Sequence, residues 1–188
     1  MPTPVFLTPR RRMLPVMLAS GFVFLASGCT APQETATEAG PALRPLSPDY
    51  AVSAQLHPSD MRRIARQGYN LVINNRPDGE SPDQPASAAM ARAASKAGLA
   101  YFYFPVRHGH YSRQELRHLD NILAGHKGKI LAFCRTGIRA TTLWAMAQTE
   151  RGAIGPDAAV RAAKTVGVNL EGQRKRLEAL APPETRND

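Results

Sequence analysis

The 188-residue sequence predicts an α/β fold: a single domain whose mostly parallel central sheet is flanked by helices on both faces. Short apolar segments typical of buried strands alternate with longer segments whose apolar residues recur at helical spacing. Polar loops follow three of the strands, at residues 75–80, 106–111 and 134–139. Because the carboxyl ends of parallel strands meet at one edge of a sheet, we expect these loops to form one site.

Four runs rich in aliphatic and aromatic residues predict the strands. They are residues 50–55, 69–74 (YNLVIN), 99–104 (LAYFYF) and 130–133. Pro105 ends the third run, because proline has no backbone N–H to donate to a neighbouring strand. Strands separated by helices favour a parallel arrangement, since each crossover needs a helix to return the chain.

The predicted helices carry start and stop signals. Gly68 ends the first helix, Ser112 and Glu115 form a capping box at the third, and Pro156 suits the first turn of the fifth. The helices are expected at residues 59–67, 86–97, 112–124, from 140 onward, from 156 onward, and 170–180.

The first 28 residues are predicted to be a lipoprotein signal peptide. Three arginines at residues 10–12 precede an apolar run at 14–26, which is shorter than the roughly 20 residues of a membrane span. The run ends in LASGC, which resembles a bacterial lipobox and makes Cys29 the predicted site of lipidation. We therefore expect the protein in the bacterial cell envelope, anchored to a membrane and facing the periplasm. An ordinary signal peptide cut nearby is the alternative.

Residues 29–48 are rich in Pro, Thr, Glu and Ala and predict a flexible tether, which leaves residues 49–188 as the folded domain. The net charge of the sequence is +9, and it falls to +6 when residues 1–28 are removed. This charge favours anionic partners. No basic patch interleaved with aromatic residues is present, so we do not expect a nucleic-acid partner.

Cys134 is the candidate nucleophile. It lies between an apolar strand and a helix, where backbone N–H groups and the positive helix end favour a thiolate. Gly137 allows the backbone to fold tightly around an anion, and Arg139 offers a planar fork suited to an oxyanion. If Cys29 is acylated, Cys134 is the remaining thiol in an oxidising compartment, which favours a chemical role. The alternative is a buried, inert cysteine with solvated arginines.

The other two loops supply further candidates. Arg76 would add charge for binding an anion, and Asp78 would donate a proton to a leaving oxygen. The alternative is a turn in which Arg76 pairs with Asp78 or Glu80. His108 and His110 are the other candidate acids, because imidazole exchanges protons near neutral pH. Two histidines at 108 and 110 are a poor metal signal, and we expect neither a metal nor another cofactor.

The segments VINNRPDGE and GKILAFCRTGIRATTLWA, with a small-residue helix and a strand ending in Pro-Val between them, resemble the phosphatase-like domain of beta-lactamase-hydrolase-like proteins. The resemblance covers roughly residues 52–147. It implies membership of the cysteine-dependent protein tyrosine and dual-specificity phosphatases, with a loop similar to that of rhodaneses. Cys134 would then be the nucleophile and Arg139 the anion-binding arginine. The remaining expected substrate-binding residues are Arg135, Thr136, Gly137, Ile138 and Arg76.

Three departures from the phosphatase pattern leave other functions open. Tyrosine phosphatases place five residues between cysteine and arginine, whereas four separate Cys134 from Arg139, as in a smaller cradle that suits a persulfide. Ala140 replaces the usual serine, and Arg107 and His108 occupy the place of the usual acidic residue. The leading prediction is hydrolysis of an anionic small molecule or phosphoprotein through a cysteinyl-phosphate. The alternatives are sulfur transfer on the same cysteine and a non-catalytic module that binds an anion or a partner.

Overall fold

The computed structural model describes residues 40–183, so that the predicted signal peptide and Cys29 lie outside the described residues. Two short 3-10 helices, Pro58–Asp60 and Glu171–Gln173, precede the first and last α-helices. The strands and helices are, in chain order, β1 (Arg44–Ser47), β2 (Tyr50–Ser53), α1 (Met61–Arg66), β3 (Tyr69–Asn74), α2 (Ser87–Lys96), β4 (Ala100–Tyr103), α3 (Arg113–Gly125), β5 (Lys129–Phe133), α4 (Ile138–Glu150), α5 (Pro156–Thr165) and α6 (Arg174–Leu180).

The five strands form one sheet in the order β1-β2-β5-β3-β4. Strands β2, β5, β3 and β4 are parallel, and β1 pairs with β2 in the antiparallel direction. Ser53, Phe133, Asn74 and Tyr103 are partners across neighbouring strands, so the four parallel strands end at the same level. The loops that follow β3, β4 and β5 therefore leave the sheet side by side.

Apolar side chains cover both faces of the sheet, which confirms the predicted α/β class. On one face, Met61 and Ile64 of α1 and Met90 of α2 pack with residues of β3 and β5. On the other face, residues of α3, α4, α5 and α6 form a larger cluster with the opposite side of the strands. Trp144 belongs to this second cluster, where its ring stacks on Tyr50 with 6.0 Å between centroids.

The folded domain begins earlier than predicted. Strand β1 lies inside the range 29–48 that was expected to be a tether, and its residues pair with those of β2. Leu43 and Leu46 pack against the two apolar clusters. An edge strand has one neighbour and tolerates proline, so this segment forms with few large apolar residues and with Pro45 inside it. The boundary at residue 49 was therefore wrong.

Across residues 40–183, none of the helices has the length and apolar character required to cross a membrane. The predicted signal peptide and lipid anchor concern residues before this range, and both stay predictions.

Candidate active site

Cys134 lies directly after β5 and is almost completely buried, with 2% of its surface exposed. The chain then turns within three residues into the 13-residue helix α4, which begins at Ile138 rather than at residue 140. Gly137 has a φ of +91°, a value that glycine adopts readily. Its N–H donates a hydrogen bond to Cys134 Sγ at 3.1 Å. The sulfur therefore faces a backbone donor at the positive end of a helix, where a negative charge is stabilised.

Arg139 lies in the first turn of α4 and is 6% exposed. Its Nη1 donates to the carbonyl of Asn75 at 2.9 Å, and its Nη2 donates to Glu80 Oε1 at 2.8 Å. Its Nε is buried and has no hydrogen-bond partner among the described residues. Two contacts thus hold the guanidinium in place. Because an arginine side chain has five N–H donors, donors remain for an anion.

Glu80 joins two buried arginines, and sequence analysis considered it only as a possible partner of Arg76. While Oε1 accepts from Arg139, Oε2 accepts from Arg76 Nε at 3.0 Å. Arg76 Nη1 also donates to Gln55 Oε1 at 2.7 Å. Glu80 therefore orients Arg139, and its place in the loop after β3 is the signal that could have assigned it to the site.

Asn75 connects the ends of three strands and was also missed. Its backbone N–H donates to the carbonyl of Phe133 at 2.9 Å, and its Nδ2 donates to the carbonyl of Phe104 at 3.3 Å. Its own carbonyl accepts from Arg139. Asn75 is 1% exposed, so this set of bonds fixes the relative positions of the three loops without solvent competition.

A cavity of about 390 Å³ opens next to the sulfur and brings together residues from all three loops. Its lining residues are Glu80, His108, Cys134, Arg135, Thr136 and Arg139. Both Arg135 and His108 are exposed, and neither side chain has an ion pair with any residue that the structure describes. Arg135 therefore adds an unpaired positive charge to the rim of the cavity, as an anion site requires.

Helix α6 fixes the loop that carries His108. Arg176 donates to the carbonyl of Tyr111, and its guanidinium lies 5.4 Å from the centroid of the Tyr111 ring. Burial raises the pKa of Tyr111 above its ordinary value, so its hydroxyl stays protonated. Burial, and to a lesser extent the charge of Cys134, also raises the pKa of Tyr50. Neither tyrosine therefore adds a negative charge near the sulfur.

The structure contradicts the role predicted for Asp78. Its Oδ1 accepts from the backbone N–H of Ser87 and its Oδ2 from the Ser87 hydroxyl, both at 2.8 Å. Both oxygens thus satisfy the first turn of α2, and Asp78 does not line the cavity with Cys134. His110 lies in a separate cavity with Arg107 and Arg176. Of the candidate acids, His108 is the one that lines the cavity.

Two residues expected to bind substrate have other positions. Arg76 is 4% exposed, has its guanidinium bound to Glu80 and Gln55, and is absent from the cavity wall, so it acts through Glu80. The side chain of Ile138 points outward, with 44% of the residue exposed, so only its backbone could contact a substrate. Arg135 and Thr136 line the cavity as expected.

The position after Arg139 offers no hydroxyl to the sulfur. Ala140 is fully buried, and the hydroxyls of Thr141 and Thr142 donate to the carbonyls of Gly137 and Ile138, each at 2.9 Å. Within residues 40–183, no group of three or more His, Cys, Asp or Glu side chains is arranged to hold a metal ion.

Glu80→Gln should destabilise the fold, because it removes the shared counter-charge of two buried guanidinium groups. We expect the free energy of unfolding to fall by about 1–3 kcal/mol. Urea denaturation measures this change. Glu178→Gln is the control, since Glu178 is an exposed carboxylate on α6. Equal stabilities of the two variants would contradict the bridging role of Glu80.

Three comparisons relate the chain to known proteins. Residues 42–151, more than half of the chain, match the model of the phosphatase-like domain of Beta-lactamase hydrolase-like protein. A Beta-lactamase hydrolase-like protein of Xylella fastidiosa is 36% identical over 102 residues, which are 54% of this chain and 24% of that protein. Its counterpart in Agrobacterium fabrum is 32% identical over 120 residues, or 64% of this chain and 28% of that protein. The chain thus spans about a quarter of the length of these relatives.

A solved structure from Neisseria meningitidis, assigned as a phosphatase, has a similar fold with a TM-score of 0.66. It is 31% identical in sequence, and the superposition covers 73% of this chain and 96% of that one.

Proposed function

Because the chain belongs to the phosphatase-like domain family of beta-lactamase hydrolase-like proteins, as its motifs predicted, we propose that it is a cysteine-dependent phosphatase that hydrolyses a phosphate monoester. One observation carries this proposal. The buried sulfur of Cys134 accepts the N–H of Gly137 at the start of α4, and Arg139 lies in the same cavity with a free N–H. This arrangement supplies a nucleophile and the donors for the oxygens of a phosphoryl group.

The reaction has two steps. The Cys134 thiolate attacks phosphorus, an S–P bond forms, and the P–O bond to the leaving group breaks. Loop N–H groups and the unused N–H groups of Arg139, which lines the cavity, donate to the non-bridging oxygens, whose charge grows in the transition state. Water then attacks phosphorus, the S–P bond breaks, and inorganic phosphate leaves with the thiolate restored.

His108 lines the cavity and is our candidate for the proton donor to the leaving oxygen. Its side chain is exposed, so packing does not fix its position next to the leaving oxygen. We therefore expect activated aryl phosphates, whose leaving group needs little protonation, to react much faster than alkyl phosphates. The positive rim supports an anionic small molecule or a phosphoprotein as the natural substrate.

Sulfur transfer is the second candidate, and the loop length favours it. Four residues separate Cys134 from Arg139, so fewer loop amides are available than the five-residue loop provides for three phosphoryl oxygens. In this reaction the thiolate attacks the outer sulfur of thiosulfate, an S–S bond to Cys134 forms, and sulfite leaves. The persulfide then passes its outer sulfur to an acceptor thiol.

The covalent state of Cys134 distinguishes these reactions. The purified protein is incubated briefly with 4-nitrophenyl phosphate or with thiosulfate, quenched in acid, and analysed by intact mass. We expect a phosphoryl adduct that is absent from Cys134→Ser. A gain of one sulfur from thiosulfate, without a phosphoryl adduct, would replace the proposal with sulfur transfer. A free thiol after both incubations would instead favour the binding module.

We also propose that a lipid on Cys29 anchors the protein to a membrane of the bacterial envelope, with the domain facing the periplasm. The sequence pattern of residues 10–29 supports this location. Metabolic labelling with a fatty-acid analogue, lost in Cys29→Ser, is the direct check.

A further inference from the structure

We propose that Arg44 is a positioning residue for Cys134, because it holds the peptide that donates a hydrogen bond to the sulfur. Arg44 lies on the edge strand β1, far from the loop in sequence. Its Nη2 donates to the carbonyl of Thr136 at 2.9 Å, and its Nη1 donates to the carbonyl of Val166 at 2.7 Å. The guanidinium thus connects the loop to the end of α5.

The carbonyl of Thr136 and the N–H of Gly137 belong to the same peptide unit. In a trans peptide these two groups point in opposite directions. Here the carbonyl faces Arg44, and the N–H faces Cys134 Sγ at 3.1 Å. Rotation of this peptide would break both contacts together. By holding the carbonyl on one side, Arg44 keeps the N–H directed at the sulfur on the other.

Gly137 makes this contact possible. A Cβ at this position would lie 2.2 Å from Arg44 Nη2, so the missing side chain leaves the space that the guanidinium occupies. Glycine also leaves the adjoining peptide free to rotate. The hydrogen bond from Arg44 restricts this rotation. In addition, a positive charge on the carbonyl polarises the peptide and strengthens its N–H as a donor.

The inference depends on the proposed chemistry only in treating the Cys134 thiolate as the reactive form. Alkylation tests it without any substrate. The rate of reaction of Cys134 with iodoacetamide is measured against pH in the full chain carrying Cys29→Ser, which leaves one thiol. We expect the pH midpoint to rise by about one unit in Arg44→Ala, because the thiolate loses a well-directed hydrogen bond.

Arg63→Ala is the matched control. Arg63 also holds the segment before β1, since its Nη2 donates to the carbonyl of Pro41 at 3.2 Å. Its other partner is Asp60, so it does not contact the loop after Cys134. We expect the midpoint of this variant to equal that of the wild type. Arg44→Lys keeps the charge and one donor atom, so its midpoint should rise by less than that of Arg44→Ala. If Arg44→Ala does not fold, Arg44→Lys is compared with the wild type in its place.

An unchanged midpoint in a folded Arg44 variant would overturn the proposal. An equal shift in Arg63→Ala would also overturn it, because the effect would then come from loosening the N-terminal strand. Either result leaves the phosphoryl-adduct experiment unaffected, so that failure of this inference and failure of the proposed function are distinguishable.

Discussion

Replacing Cys134 by serine should lower kcat for an aryl phosphate by about 10⁴-fold or more, because the proposed nucleophile is lost. A serine hydroxyl is not ionised near neutral pH, and the cavity offers no buried base to remove its proton. The donors for the anion remain in place, so the variant should still bind inorganic phosphate. Steady-state kinetics with 4-nitrophenyl phosphate and calorimetric titration with phosphate measure the two properties separately.

Thr136→Ala is the control for this substitution. Thr136 lines the same cavity, but its hydroxyl is only a weak acceptor for the N–H of Ile138, at 3.5 Å. We expect its kcat to stay within a few-fold of the wild type. If Cys134→Ser kept a substantial share of the wild-type rate, then water or another side chain would be the nucleophile.

The elements that sequence analysis predicted well each carry one dominant local signal. Strand Tyr69–Asn74 contains the apolar run Leu-Val-Ile at residues 71–73 and lies between a glycine and a polar loop. Helix α3 begins with the predicted capping box, in which Ser112 accepts from the N–H of Glu115 and the Glu115 side chain accepts from Ser112. These signals depend on neighbours in the chain, so sequence alone is sufficient to find them.

The parts that sequence analysis missed depend on residues far apart in the chain. Arg44 is 92 residues from Thr136, and Glu80 is 59 residues from Arg139. Asp78 was assigned wrongly because its partner lies outside its own loop. A carboxylate in a loop after a strand can act as a general acid or can cap the next helix. The hydrogen bonds that Ser87 donates to Asp78, nine residues earlier, show that Asp78 caps the helix.

The charges of the site explain why an arginine is needed where Arg139 lies. Glu80 neutralises one of the two guanidinium groups that it contacts, so Arg76, Glu80 and Arg139 together keep one positive charge. The planar guanidinium of Arg139 can donate to Asn75, Glu80 and an incoming anion at the same time, because its N–H groups point in different directions. The Nε–H and the second N–H of each terminal nitrogen are the donors that the described residues leave unused.

Arg139→Lys should therefore lower kcat/KM for an aryl phosphate by about 10²–10³-fold, although the positive charge is kept. An ammonium group donates from a single atom and cannot satisfy Asn75 and Glu80 while also reaching the phosphoryl oxygens. The affinity for inorganic phosphate should fall as well. Kinetics with 4-nitrophenyl phosphate and phosphate titration into Cys134→Ser, with and without Arg139→Lys, provide the measurement.

Arg135→Lys is the matched control for this prediction. Arg135 lies on the same loop and lines the same cavity, but it is exposed, and its guanidinium has no hydrogen bond or ion pair with any residue in the range 40–183. Its charge attracts the anion from the rim, and lysine preserves that charge, so kcat/KM should change by less than about threefold. Equal losses in the two lysine variants would mean that charge alone matters. Such a result would contradict our proposal that Arg139, oriented by Asn75 and Glu80, stabilises the transferring phosphoryl group.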